Sequence, residues 1–139
     1  MFSDAEIKYM KSQRLARMAT VNSNGQPDLV PVGFEFDGEY FWVGSHSQDI
    51  LLKTTKYKNV KEGRKKVALV IDDLKSVQPW QPRSVKVYGT AEVMEHKGIF
   101  GPGKYLRITP RVSWGMGAIE GLKTAKGDFR VKAIHRKTK

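Results

Sequence analysis

The chain has 139 residues, the length of one domain, and its 40% of hydrophobic residues exclude a disordered protein with few apolar side chains. It contains no cysteine, which excludes disulfide bonds, thiolate metal sites and a cysteine nucleophile, and its three histidines leave little for a zinc or iron site. Lys and Arg outnumber Asp and Glu by 25 to 14, and the net charge of +11 attracts nucleic acid, membrane surfaces and phosphorylated small molecules alike.

The first third of the chain is predicted to form one helix and three strands. Ser3 and Glu6 have the spacing of a capping box, which places a helix at residues 4–12. Apolar residues then alternate along three segments, and the turns between them carry Gly25 and the pair Asp37 and Gly38, which suit tight turns. The predicted strands are residues 15–21, 26–36 and 40–43.

The rest of the chain is predicted to add one helix and three strands. Apolar residues recur at helical spacing between Ser47 and Gly63, and both ends carry capping residues. The predicted strands are residues 67–71, residues 84–95 with a bulge or bend at Gly89, and residues 105–108 before Pro110; the predicted loops are residues 73–82 and 98–103. Six strands and two short helices joined by tight turns predict a mainly β fold, an antiparallel six-stranded barrel with short helices.

A candidate anion site lies where the third strand gives way to the second helix. Backbone N–H groups at a helix start and nearby hydroxyl and ammonium groups suit phosphate oxygens. The candidate residues are Ser45, His46, Ser47, Lys53, Thr54 and Lys56. The alternative is that the two lysines, three residues apart, form only the solvated face of the helix.

Two tryptophans and a pair of acidic residues lie outside the strongest patterns. Trp80 lies between two prolines and Trp114 precedes a glycine, so either ring closes the core or an oligomer interface, or walls a pocket for a flat ring. Asp72 and Asp73 lack a nearby histidine or metal set, and a turn role is expected for them. With no acid–base constellation, an enzyme of this sequence is expected to depend on a cofactor for its chemistry.

Five segments together resemble the pyridoxamine 5′-phosphate oxidase-like split-barrel family, and within it the F-420-dependent branch of the flavin/deazaflavin oxidoreductase superfamily. The segments are residues 15–21, residues 25–28 with 30–34, residues 55–60 with 66–74, residues 79–83 with 87–92, and residues 105–111 with 113–115. The resemblance covers about residues 14–116, in order. It implies a single split-barrel domain over residues 1–139, with the barrel at residues 14–116 and a basic tail at residues 122–139 outside the resemblance.

The resemblance also implies a homodimer with two cofactor sites in the grooves between subunits. The implied cofactor is FMN or coenzyme F-420, hydride transfer to or from a small-molecule substrate is the implied chemistry, and no catalytic side chain is implied. The implied cofactor-binding residues are Val30, Pro31 and Val32 along the ring, mostly through backbone groups; Ser45, His46, Ser47, Lys53, Thr54 and Lys56 at the phosphate; Asn59, which also fits a capping or packing role; and Trp80 and Trp114 facing the groove.

Two alternatives remain open at this stage. The first is a basic β-barrel that binds nucleic acid, although the basic residues do not alternate with aromatics along one strand. The second is a dimer that carries the cofactor without catalysis. The chain lacks the long C-terminal substrate region of true pyridoxamine phosphate oxidases, so that reaction is not expected.

The sequence shows no membrane or export signal. No apolar run approaches the roughly 18 residues of a spanning helix, and residues 1–10 are too polar for a signal peptide. We therefore expect a cytoplasmic protein that does not enter a membrane.

Overall fold

A computed structural model describes residues 1–122 and 133–136. They form three short helices and seven strands in one antiparallel sheet. The helices are α1 (Asp4–Lys11), α2 (Gln48–Lys53) and α3 (Thr55–Lys61). The strands are β1 (Leu15–Val21), β2 (Pro27–Phe36), β3 (Phe41–Val43), β4 (Lys66–Ser76), β5 (Gln81–Gly98), β6 (Gly101–Gly117) and β7 (Ala133–Arg136).

Six of the strands close into a barrel. The sheet order is β3-β2-β1-β4-β5-β6-β7, and β3 also pairs with β6, with Phe41 opposite Ile108. This second pairing joins the two ends of the six-stranded run, while β7 adds to β6 outside it. The predicted mainly β fold with a six-stranded antiparallel barrel is confirmed.

The barrel encloses the apolar core because side chains alternate along each strand. In β1, Ala16 and Met18 are buried while Leu15 is exposed, and the same alternation buries Leu69 and Ile71 in β4. Helix α1 has the predicted capping box: the backbone N–H of Ser3 donates to Glu6 Oε1 at 2.9 Å, and the N–H of Glu6 donates to Ser3 Oγ at 3.2 Å.

Two predicted elements of the middle of the chain are corrected. The helix expected between Ser47 and Gly63 is divided into α2 and α3 by Thr54, which has an extended backbone and caps α3. The loop predicted at residues 73–82 is mostly strand, because β4 runs to Ser76 and only residues 77–80 turn. The turn role expected for the two aspartates is therefore wrong, since both lie in β4.

The last two barrel strands form a longer hairpin than the sequence pattern predicts. Residues 98–103, predicted as irregular, contain the hairpin turn, with Gly98 opposite Gly101. Strand β6 also continues past Pro110, which lies opposite Gly89 at a β-bulge. The bulge at Gly89 was predicted, and such irregularities are where a sheet tolerates a residue without an N–H donor.

Part of the predicted basic tail, residues 122–139, belongs to the sheet. Strand β7 pairs with residues 112–115 of β6, with His135 opposite Ser113. The remaining tail residues, 123–132 and 137–139, lie outside the described residues. Among the helices that the structure describes, none is long and apolar enough to cross a membrane.

Candidate functional site

One edge of β2 has no strand partner over most of its length. Strand β2 pairs with β1 over residues 27–33, but on its other edge β3 pairs only with residues 34–36. Residues 27–33 therefore direct part of their backbone N–H and C=O groups away from the barrel sheet, where a flat polar ligand can hydrogen-bond to them. Val30 and Val32 turn their side chains to the core, while Pro31 is exposed on the outer face.

The turn after β3 begins beside this edge. Because Phe34 pairs with Val43, the following Gly44 lies beside Gly33. The Phe100 ring occupies the space that a Cβ atom on Gly33 would need, and the rings of Tyr105 and Phe100 occupy the space that a Cβ atom on Gly44 would need. The turn of residues 45–47 is thus next to the exposed part of β2. His46, in this turn, is itself exposed and meets the Phe100 ring edge to face, with centroids 4.7 Å apart.

The hydroxyls of the two serines in this turn each accept one hydrogen bond from the backbone. Ser47 caps α2, and its Oγ accepts the N–H of Ile50 at 3.3 Å, while Ser45 Oγ accepts the N–H of Ser47 at 3.3 Å. A hydroxyl that accepts one hydrogen bond still has its own hydrogen to donate, so both can meet an anionic oxygen. Helix α2 is only six residues long and has Asp49 in its first turn, so the helix dipole adds less than the sequence suggested.

The three candidate residues around the α2–α3 junction differ in what they offer. Lys53 is exposed at the end of α2. Thr54 is committed to the helices, because its hydroxyl donates to Leu51 O at 2.7 Å and accepts the N–H of Tyr57 at 3.3 Å. Lys56, in the first turn of α3, is half-buried.

Burial lowers the pKa of Lys56, and the nearby carboxylate of Asp28 in β2 partly offsets the effect. Lys56 forms no ion pair with any residue in the described part of the chain. One oxygen of Asp28, Oδ2, is buried there without a hydrogen-bond partner. A half-buried ammonium group without a contacting carboxylate gains more from an incoming anion than an exposed one, because the surrounding dielectric is lower.

Asn59 already has partners for its polar atoms. Its Nδ2 donates to Thr20 Oγ1 and to Asn22 Oδ1, both at 2.9 Å, and its Oδ1 accepts from Arg64 Nη2 at 3.0 Å. The side chain is 3% exposed. These contacts join α3 to the end of β1, so the structure gives Asn59 a packing role.

An apolar row of side chains crosses the outer face of the barrel. Residues that pair directly across antiparallel strands share one face of the sheet. The row consists of Leu29, Ala19, Ala68, Tyr88 and Val112, one from each of five neighbouring strands. Leu29 is 66% exposed and Tyr88 49% exposed, so this face of the described chain leaves large apolar side chains uncovered.

A second, parallel row contains two of the predicted site residues at its opposite ends. It consists of Pro31, Arg17, Val70, Lys86 and Trp114. Four strand spacings separate its ends, so Pro31 and Trp114 of one chain lie roughly 19 Å apart along the sheet. The Lys86 ammonium lies 4.4 Å from the Trp114 ring centroid, and this ring meets Tyr88 edge to face.

Two cavities open on the same face. One, of about 440 Å³, adjoins the apolar row and has Lys66 and Arg111 in its lining. The other, of about 240 Å³, lies against Trp114 and Met116. Of the predicted site residues, only Trp114 lines either of these two cavities. Lys66 and Arg111 were not predicted as site residues, although the alternation along their strands indicated that their side chains point outward.

Trp80 lies apart from the other candidates. It ends the turn between β4 and β5 and is 61% exposed, so within this chain it does not close the core. The structure thus brings the turn of residues 45–47 together with β2, places Lys56 within electrostatic reach of Asp28 in β2, and leaves both tryptophans away from them. Among the described residues, no group of three or more His, Cys, Asp or Glu side chains forms a metal site.

Comparison with known proteins gives one family match and one close relative. Residues 3–131 match the family model described as pyridoxamine 5′-phosphate oxidase. The chain is also 34% identical over 121 residues to a 5a,11a-dehydrotetracycline/5a,11a-dehydrooxytetracycline reductase of Streptomyces rimosus, an alignment that covers 83% of this chain and 84% of the relative.

Solved structures share the fold at low sequence identity. A FAD-binding protein from Mesorhizobium loti superposes with a TM-score of 0.61 at 18% identity, covering 81% of this chain and 90% of that one. A protein named F-420 reductase superposes with a TM-score of 0.54 at 19% identity, covering 73% of this chain and 89% of that one.

Proposed function

The chain belongs to the pyridoxamine 5′-phosphate oxidase family, and we propose that it is an oxidoreductase that binds FMN or coenzyme F-420 in a groove between two copies of the chain. The observation that carries the proposal is the open edge of β2, flanked by the turn of residues 45–47 and by Lys56. The relative named as a reductase and the fold neighbours named for FAD binding and F-420 support the same chemistry.

The residues at this edge fit a phosphorylated tricyclic cofactor. Backbone groups of β2 around Pro31 would hold polar atoms of the ring, the hydroxyls of Ser45 and Ser47 would donate to the phosphate, and Lys56 would neutralise it. When bound, such a cofactor supplies hydride transfer at its central ring. The contribution of the chain is then to bind and orient the cofactor and to keep water from it.

The two outer rows support a groove between two copies. Trp114 of one chain is too far along the sheet from its own Pro31 for both to meet one ring. A two-fold axis through the apolar row would cover Leu29 and Tyr88 and bring Trp114 of the partner subunit towards β2. A homodimer therefore accounts both for the exposed apolar face and for the separation of the candidate residues.

The choice between FMN and coenzyme F-420 depends on charge. The net charge of +11 suits either phosphorylated molecule, and the oligoglutamate tail of F-420 would engage more of that charge than FMN.

A cofactor carrier without catalysis has the same binding site. To distinguish an enzyme from a carrier, 5a,11a-dehydrotetracycline, the substrate named for the reductase relative, is added to protein that holds reduced cofactor. Oxidation of the cofactor is then followed over time.

Lys56→Ala tests the phosphate assignment, with Lys53→Ala as its matched control. A hydrogen bond to a charged group contributes about 1.5–3 kcal/mol, so Lys56→Ala weakens cofactor binding by roughly 10- to 150-fold. The exposed Lys53 contributes less, and its removal changes affinity by roughly five-fold or less. Both affinities are measured by fluorescence titration.

Equal affinity of Lys56→Ala and the unmodified chain would contradict the assignment of Lys56. If Lys53→Ala were silent as well, neither helix lysine would meet the phosphate. Affinity that falls as the pH rises towards the pKa of Lys56, which burial holds below the ordinary value of a lysine, is the matching pH signature.

A further inference from the structure

The tip of the β5–β6 hairpin is fixed by one buried tyrosine. Tyr105 is 1% exposed, and its hydroxyl accepts the N–H of Gly98 at 3.2 Å and that of Phe100 at 3.0 Å. The same hydroxyl donates to Gly101 O at 2.6 Å. Three hydrogen bonds therefore hold the backbone of the turn in one conformation and fix where the Phe100 ring projects.

The Phe100 ring fills the space between β2 and the turn after β3. A Cβ atom on Gly33 would lie 2.7 Å from Cζ of Phe100, and one on Gly44 would lie 3.1 Å from Cδ2. The ring packs against the imidazole of His46 at 83°, the edge-to-face geometry that aromatic pairs favour. Two residues without side chains thus admit the ring, which supports the turn of residues 45–47 from one side.

The same hairpin holds the turn from its other end. Gln48, the first residue of α2, accepts the N–H of Lys104 at Oε1 at 2.7 Å and directs Nε2 to Lys104 O at 3.3 Å. A Cβ atom on Gly103 would lie 2.5 Å from the Gln48 side chain, so only glycine leaves room for this pair of hydrogen bonds. Residues 45–47 are neither helix nor strand, and they lie between the contact of His46 with Phe100 and the hydrogen bonds of Gln48 with Lys104, both from the tip of the β5–β6 hairpin.

We propose that the tip of the β5–β6 hairpin clamps the turn of residues 45–47 in the conformation that binds the cofactor phosphate, with Phe100 as a positioning residue. The inference rests on the proposed function, because it assigns the turn to the phosphate. An irregular turn that is fixed before the ligand arrives avoids the entropy cost of ordering on binding. Loss of the clamp therefore weakens recognition of the phosphate and leaves recognition of the ring intact.

Titration with FMN and with riboflavin separates these two effects, because riboflavin has the same ring and no phosphate. In the unmodified chain, FMN binds more tightly than riboflavin. In Phe100→Ala, the FMN affinity falls by roughly 5- to 10-fold, the scale of a lost aromatic contact, while the riboflavin affinity stays within two-fold. Gln48→Ala, which removes the hydrogen bonds on the other side of the turn, also lowers the ratio of the FMN affinity to the riboflavin affinity.

Ile99→Ala is the matched control. Ile99 neighbours Phe100 in the hairpin turn, but its side chain is 58% exposed, so its truncation leaves the FMN-to-riboflavin ratio unchanged. If the chain binds only coenzyme F-420, the same comparison is made with F-420 and its unphosphorylated deazaflavin chromophore. Hydrogen exchange of the cofactor-free protein gives a second readout: in Phe100→Ala, exchange rises at residues 45–48 and not in β1.

The outcomes distinguish this inference from the proposed function. Equal losses for FMN and riboflavin in Phe100→Ala would show that the ring touches the cofactor directly and would overturn the clamp. A ratio and an exchange pattern that are unchanged in both Phe100→Ala and Gln48→Ala, while Lys56→Ala weakens FMN binding, would overturn the clamp alone. Failure of the unmodified chain to bind either cofactor would overturn the proposed function and the clamp with it.

Discussion

Replacement of Leu29 by aspartate should separate the two copies of the proposed dimer. Leu29 is 66% exposed in the single chain and lies at one end of the apolar row. Full burial of a leucine side chain contributes about 1.5–3 kcal/mol, so covering the exposed two-thirds contributes about 1–2 kcal/mol in each copy. A two-fold interface contains the residue twice, which gives about 2–4 kcal/mol for the pair.

This free energy corresponds to a rise of roughly 30- to 700-fold in the dimer dissociation constant. Burial of the two introduced carboxylates raises the constant further. Sedimentation velocity over a concentration series measures the constant. Ile50→Asp is the matched control, because Ile50 is 61% exposed on α2 and outside the row. An unmodified chain that sediments as a monomer, or equal dissociation constants for Leu29→Asp and Ile50→Asp, would refute the assignment of this face to the dimer.

Two further predictions concern stability. Asp73→Asn removes the charge that receives two hydrogen bonds from Arg83, at 2.9 and 2.7 Å, and lowers the free energy of unfolding by about 1–2 kcal/mol near neutral pH. Arg83 holds the pKa of Asp73 below its usual range, so the stabilisation is present above about pH 4 and is lost as the pH falls further. In urea titrations, the difference in unfolding free energy between the unmodified chain and Asp73→Asn should be smaller at pH 3 than at pH 7. An equal difference at both pH values would contradict this origin. Asn59→Ala removes the partner of Thr20 Oγ1 and one of the three acceptors of Arg64, and it costs roughly 2–4 kcal/mol in thermal or urea unfolding, with cofactor affinity unchanged. A stable variant with weakened cofactor binding would show that Asn59 binds rather than packs.

Local chemistry in the sequence predicted the start of the fold well. The capping box at Ser3, the turns at Gly25 and Gly38 and the bulge at Gly89 each depend on a few neighbouring residues, and all four are present. Both turn glycines have positive φ, the conformation that only glycine adopts without strain. Sequence signals that span only a few neighbouring residues can be identified without knowledge of the tertiary structure.

The errors fall where a specific side-chain hydrogen bond, rather than the local residue pattern, decides the structure. The acidic end of β4 was predicted as a loop, but Asp73 is held in the strand by its cross-strand partner Arg83. The glycine-rich segment at residues 98–103 was predicted as irregular, yet the hydroxyl of Tyr105 organises it as a hairpin turn. Neither partner can be identified from local composition.

Some residues of the candidate site were identified from the sequence, and others only from the tertiary structure. The strand-to-helix turn and the pair of lysines were identified from sequence, but spacing does not distinguish Lys53 from Lys56, because only tertiary packing makes one exposed and the other half-buried. Phe100 was not selected at all, since its place beside Gly33 and Gly44 follows from the length and register of the β5–β6 hairpin.

Fluorescence titration of the purified, dialysed protein with FMN and, separately, with coenzyme F-420, at low and physiological salt, is the most direct test of cofactor binding. We expect saturable binding of one of them at one molecule per chain, with an affinity that decreases with salt because a phosphate is recognised. Binding of neither, together with tight and strongly salt-dependent binding of a random oligonucleotide, would contradict it. The basic barrel would then be a nucleic-acid-binding protein that has the family fold without its cofactor site.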